Sequence, residues 1–112
     1  MSDTFTNLIV DQYKTIAGIT RHMLELAQTA RWDEVVEQSK QYRHAVEQLK
    51  TLEDLSSIDK QARRQLLTQI LADDAQIRHL ATPELGRLGA LLGNMKRQQT
   101  VLQAYYSPSV HP

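Results

Sequence analysis

The sequence contains no cysteine, which excludes disulfides, thiolate nucleophiles and cysteine-ligated zinc and fits a cytoplasmic location. Four glycines, three prolines and an aromatic content of 5% form a composition that favours helix. Net charge is missing as well: 13 basic side chains balance 13 acidic ones. The surplus positive charge that carries most non-specific nucleic-acid binding is therefore absent, and no direct contact with nucleic acid is expected. The longest early apolar run, Leu8-Ile9-Val10, is far too short for a signal-peptide core or a membrane span, so no membrane insertion is expected.

What is present suits one ordinary globular domain over residues 1–112, with 41% hydrophobic and 23% charged residues. Its apolar residues recur at helical spacing. Phe5, Ile9, Ile16, Ile19, Met23, Leu26 and Ala30 alternate near three and four, with Gln12 and Tyr13 sharing one slot, and predict a helix over about 4–29. Trp32, Val35, Val36, Ser39, Tyr42, Val46, Leu49 and Leu52 form a second stripe. Asp33 and Glu34 stand in its first turn, where carboxylates meet the positive end of the helix dipole. The one or two residues left between the stripes force the two helices antiparallel.

Leu55-Ser-Ser-Ile-Asp59 breaks the pattern and reads as a loop. A third helix carries Ala62, Leu66, Ile70, Ile77 and Leu80 on one line, with Leu67 and Leu71 widening the face. Thr82-Pro83 is a helix-start signal, with threonine as cap and proline at the first helical position. Beyond it the apolar residues Leu85, Leu88, Leu92, Met95, Leu102 and Tyr106 fall one place later than the Leu66, Ile70, Ile77, Leu80 line demands. One place is about 100° of rotation, so the face is expected to turn at Pro83. The expected fold is all-α, an antiparallel bundle of four helices; the alternative is three helices with the third long and kinked at Pro83. Residues 107–112 read as a short tail.

No motif for catalysis emerges. The pairs His22/Glu25 and His44/Glu47 reverse the Glu-x-x-His order of di-iron bundles and read as solvated partners, not metal ligands. Asp73-Asp74 has no histidine or lysine fixed beside it by spacing and reads as a polar patch or local helix contact. No nucleophile motif and no glycine-rich loop after a strand occurs, so neither an enzyme nor a cofactor is expected.

Two features point to binding instead. Residues 32–55 carry six acids against three bases, net −3, while residues from Pro83 onward are net +2 and carry no formal charge after Arg97 apart from the titratable His111. These unlike faces can pair within the bundle or orient a partner, with a solvated surface as the plainer reading. Gly86, Gly89 and Gly93 each disfavour helix by about 1 kcal/mol relative to alanine. They either permit close helix contact or make segment 83–106 displaceable. If that segment moves, the wide third-helix face at Leu66, Leu67, Ile70 and Leu71 opens as a groove for an amphipathic partner segment.

Leu24-Glu-Leu-Ala-Gln-Thr-Ala-Arg-Trp-Asp-Glu-Val-Val-Glu, Leu71-Ala-Asp-Asp-Ala-Gln-Ile-Arg and Lys96-Arg-Gln-Gln-Thr-Val-Leu-Gln-Ala-Tyr105 together resemble the FliT-type flagellar export chaperones, in order and spacing over most of the chain. The resemblance implies a small helical cytoplasmic chaperone that binds the C-terminal part of the filament-cap protein. Such a chaperone prevents premature assembly and delivers its client to the type III export apparatus. It also implies contact with the export ATPase and the export-gate platform, and in some bacteria restraint of the flagellar master regulator. In the family the C-terminal helix covers the client site; here that helix holds Leu88, Leu92, Met95 and Leu102. Tyr105 resembles the residue that contacts the export gate. The client groove is then expected at Val46, Leu49, Leu66, Leu67, Ile70 and Leu71. Alternatives are a regulatory adaptor that sequesters a flagellar transcriptional activator, and a bundle that dimerises through its apolar faces.

Overall fold

The computed structural model describes residues 2–53 and 60–106, with side chains described for 8–52 and 63–105. Its elements are α1 (Ser2–Gln28), α2 (Trp32–Glu53), α3 (Lys60–Ala81), a 3-10 turn (Thr82–Glu84) and α4 (Leu85–Tyr106). The fold is all-α, and no strand occurs among the described residues. The loop expected at 55–59, the tail at 107–112 and the side chains of Phe5, Ala62 and Tyr106 lie outside what is described.

The junction between α1 and α2 follows from its hydrogen bonds. Arg31 N donates to Leu26 O at 2.9 Å and Ala30 N to Ala27 O at 3.0 Å, the paired bonds of a Schellman cap. Ala30 takes the left-handed position with φ 59°, a conformation that favours glycine. The chain reverses there and α2 begins at Trp32, as expected. Gln12 Nε2 then reaches the Ala45 carbonyl at 2.9 Å, far from the turn on both helices, as antiparallel packing requires.

From Lys60 the chain is one long helical run joined from pieces, as in the alternative of a long third helix kinked at Pro83. An unbroken helix from Lys60 to Tyr106 would be about 70 Å long. The longest dimension of the molecule is 47 Å, so the run folds back on itself. Thr82 is not the expected cap: its hydroxyl donates backwards to Arg78 O at 2.7 Å, and Pro83 is the middle residue of the 3-10 turn Thr82–Glu84. A second break lies at Leu88, with φ −109° and ψ 20°, between Gly86 and Gly89.

Each helix has two neighbours. α1 packs on α2 and α3, α4 packs on α2 and α3, and the pairs α2/α3 and α1/α4 face each other diagonally. Gln69 Nε2 lies 3.5 Å from Ala17 O and Arg21 lies 3.3 Å from Asp73, so α1 and α3 advance in the same direction. The core contains Ile9, Tyr13, Ile16, Met23, Val35, Tyr42, Leu67, Ile70, Ile77, Met95 and Leu102, all fully buried. Tyr13, not Gln12, occupies the contested slot in α1.

The expected rotation of the apolar face at Pro83 is not observed. Leu67, Ile70, Asp74, Ile77 and Ala81 are buried at alternating spacings of three and four in α3, and Leu88, Leu91, Met95, Gln98 and Leu102 likewise in α4, with the buried positions seven residues apart across the turn. Leu66, Leu71, Leu80 and Leu92 only flank that line, half-buried. The true centre was disguised because it includes a carboxylate, an alanine and an amide. Leu85, expected on the packing face, is 60% exposed because the line skips the turn at Pro83.

Candidate functional site

Because α4 packs alongside α2 and α3 and lies diagonally from α1, it closes one side of the core. Without it, α2 and α3 would form the walls of a trough with α1 as the floor. The expected groove residues lie in that core: Val46, Leu49, Leu67 and Ile70 are fully buried, and Leu66 and Leu71 pack half-buried at its edge. The expected covering residues belong to the same cluster. Leu88, Met95 and Leu102 are buried within it, and Leu92 packs against it. Leu91 and Gln98, also buried, complete the inner face of α4 and were missed because Leu92 is the more prominent neighbour and glutamine interrupts the pattern. Tyr105 is half-buried against the cluster and engaged with other groups of the protein.

The attachment of α4 is apolar with few polar ties. Asn94 Nδ2 donates to Ser39 O of α2 at 3.3 Å. No acid occurs in α4, and neither Lys96 nor Arg97 makes an ion pair among the described residues. Arg87 pairs with Glu84 in the adjoining turn at 3.0 Å, Glu34 with Arg31 and Glu37 with Lys40. The unlike charges of α2 and α4 therefore do not pair across the bundle. Gln99 Oε1 is buried with no hydrogen-bond partner, an arrangement that costs about 1–3 kcal/mol wherever water is excluded.

The space around the glycines of α4 bears on one of their two readings. A Cβ built at Gly86 or Gly89 meets nothing within 4 Å, and one at Gly93 meets only the Arg97 guanidinium at 3.8 Å. Close helix approach is not their purpose. None has positive φ, so alanine would fit the backbone at each position. What remains is their effect on the helix itself, about 1 kcal/mol relative to alanine at the interior position Gly93, with Gly86 in the first turn and Gly89 beside the break at Leu88.

A polar network inside the bundle was not foreseen. Tyr42 Oη donates to Asp74 Oδ2 at 2.6 Å, and Arg78 Nε donates to Oδ1 at 2.6 Å. Burial pushes the Asp74 carboxyl above its ordinary value, while the bonds from Tyr42 and Arg78 oppose the rise. Burial, reinforced by the adjacent carboxylate, raises the Tyr42 phenol well above its ordinary range. Next to it Asp73, also buried, accepts from Gln69 Nε2 at 3.4 Å and pairs with Arg21. The i, i+4 spacing of Asp74 and Arg78 was the available sequence signal. The Asp73-Asp74 pair is thus a structural contact between helices, Asp74 with Tyr42 of α2 and Asp73 with Arg21 of α1.

His22 Nδ1 lies 3.9 Å from Glu25, both exposed, as solvated partners. Among the described residues no three His, Asp or Glu side chains converge to hold a metal, and no helix is long and apolar enough to cross a membrane.

The family model described as "Flagellar protein FliT" matches residues 10–107. The chain belongs to the FliT family of flagellar proteins. A FliT protein of Cronobacter sakazakii is 27% identical over 107 residues, covering 94% of this chain and 88% of the relative. One from Yersinia pseudotuberculosis is 32% identical over 100 residues, covering 87% and 83%. A third, from Pectobacterium carotovorum, is 24% identical over 100 residues. No solved structure matches the chain. The FliT match spans all of α2, α3 and α4, so the sparsely tied α4 lies inside the family's own domain.

Proposed function

We propose that this chain is a cytoplasmic, non-enzymatic export chaperone whose client is the C-terminal part of the flagellar filament-cap protein. It keeps the client from assembling early and delivers it to the type III export apparatus through the export ATPase and the gate platform. Segment α4 covers the client groove in the free protein and moves aside on binding. The groove is the trough between α2 and α3, with Val46, Leu49, Leu67 and Ile70 exchanging Leu88, Met95 and Leu102 for apolar side chains of the client.

The observation that carries this reading is the open space around Gly86 and Gly89. Three glycines that serve no packing role lower the stability of one helix by as much as about 3 kcal/mol, the bound for three interior positions. That is a large share of a domain stability of about 5–15 kcal/mol. Membership of the FliT family and the partnerless Gln99 Oε1 on the same helix support it.

The test is capture of the filament-cap protein's C-terminal segment by the purified full chain. The account expects capture, and weaker capture by the triple variant Gly86→Ala, Gly89→Ala, Gly93→Ala, whose cover is harder to open. Equal capture by both proteins would remove α4 from the mechanism. Tyr105→Ala is expected to leave capture intact and lower export; loss of capture would make Tyr105 a core residue and nothing more.

A further inference from the structure

Beside the covered groove, on the outer side of the α2/α4 contact, lies a cleft of about 230 Å³. Its apolar floor includes Val36, Ala90 and Leu91, and its walls carry Lys40 and Arg43 from α2 and Arg97 from α4. No acidic residue lines it. Lys40 meets Glu37 at 3.2 Å one turn back along its own helix, but Arg43 and Arg97 make no ion pair among the described residues. Arg97 lies along its own helix, its guanidinium 3.8 Å from the position of a Gly93 Cβ.

This arrangement runs against the charge balance of the whole molecule. α2 is rich in acids, yet it turns two bases toward a helix that supplies a third base and contains no acid. Like charges on adjoining helices oppose docking mildly, and a carboxylate between them reverses the sign of that interaction. The volume lies below the roughly 300 Å³ at which enclosed small-molecule pockets begin, so the cleft suits a side chain of a peptide laid across it. We propose that it binds an acidic, amphipathic peptide segment of a partner protein, with carboxylates at Arg43 and Arg97 and one aliphatic side chain on the floor.

Half of the site belongs to each helix, so it is complete only when α4 is docked. By linkage the acidic segment holds α4 closed and works against a client that requires it open. This second consequence rests on the displaceable-cover reading; the binding itself does not.

The experiment measures anisotropy of a labelled Leu/Glu peptide with the full chain, beside the same peptide with glutamine for glutamate. Binding of the acidic peptide alone, weakened about fivefold by Arg43→Gln or Arg97→Gln and by added salt, is expected. Lys14→Gln on α1 serves as the charge control and should leave binding unchanged. Charge reversal, Arg97→Glu, should transfer preference to a Leu/Lys peptide. Equal binding of the glutamine peptide, or indifference to both arginine variants, would overturn the proposal. Tighter binding of single-stranded RNA than of the peptide would overturn the assignment of a protein partner. Capture of the filament-cap segment is scored separately, so this cleft and the client groove stand or fall on different readings.

Discussion

The Tyr42 hydroxyl lies 2.6 Å from Asp74 Oδ2 and joins two helices that are otherwise diagonal across the bundle. Both residues are fully buried. Because α2 and α3 are the proposed walls of the client groove, this bond ties one wall directly to the other. Arg78 is the carboxylate's second donor and the Lys96 charge on α4 also favours its ionised form, so the network leaves a buried charge underpaired when one donor is lost.

Tyr42→Phe should therefore destabilise the protein by about 1–3 kcal/mol, the cost of a buried acceptor left without its donor. Denaturant unfolding of the two proteins checks this. An unchanged midpoint would show that Arg78 alone satisfies Asp74.

The same carboxylate gives a pH signature. Its folded-state value lies above the ordinary 3.8 because of burial, so its favourable contribution is fully present below that value. The contribution is lost as pH rises through the folded-state value. The difference in stability between wild type and Asp74→Asn, which cancels the other carboxylates, should fall from acid toward neutral pH. Tyr42→Phe removes a bond that opposes the rise and should move the inflection to higher pH. A difference that grows with pH would show the carboxylate to be held below its ordinary value.

Ala30→Gly should stabilise the chain by about 1 kcal/mol, since the Schellman position with φ 59° strains any residue with a Cβ. Thermal unfolding reads the gain, and a loss would mean that the Ala30 methyl group contributes packing that its exposure does not suggest.

Replacing Gly86, Gly89 and Gly93 together by alanine should raise stability by as much as about 3 kcal/mol if α4 unfolds with the rest of the domain, and by less if it opens first. Space for each added methyl group is present, so a loss of stability would contradict the geometry.

Much of this architecture is legible from the residues. Trp32 marks the start of α2, and the short connection before it dictates antiparallel packing, because those signals are local. The third helix misleads because its buried centre holds Asp74 and Ala81 while Leu66 and Leu80 sit on the flanks; hydrophobicity alone places the face one residue off. Tyr42 and Asp74 are 32 positions apart, and no periodicity announces that they meet. The six residues expected to line a groove are recognisable as apolar, but the full burial of Val46, Leu49, Leu67 and Ile70 depends on how the chain folds back at Thr82–Glu84. The cleft of Lys40, Arg43 and Arg97 depends on helix rotation in the same way, and net charge by segment points to the opposite pairing.

The central claim is that α4 opens as a unit while α1, α2 and α3 remain packed. Native-state hydrogen exchange across residues 88–102 tests it most directly, with α1 residues 13–26 as the internal reference. The account predicts that α4 amides exchange through an opening of lower free energy than those of α1, and that the three glycine-to-alanine changes narrow the gap. Exchange of both helices at one common free energy, unaffected by those changes, would contradict it.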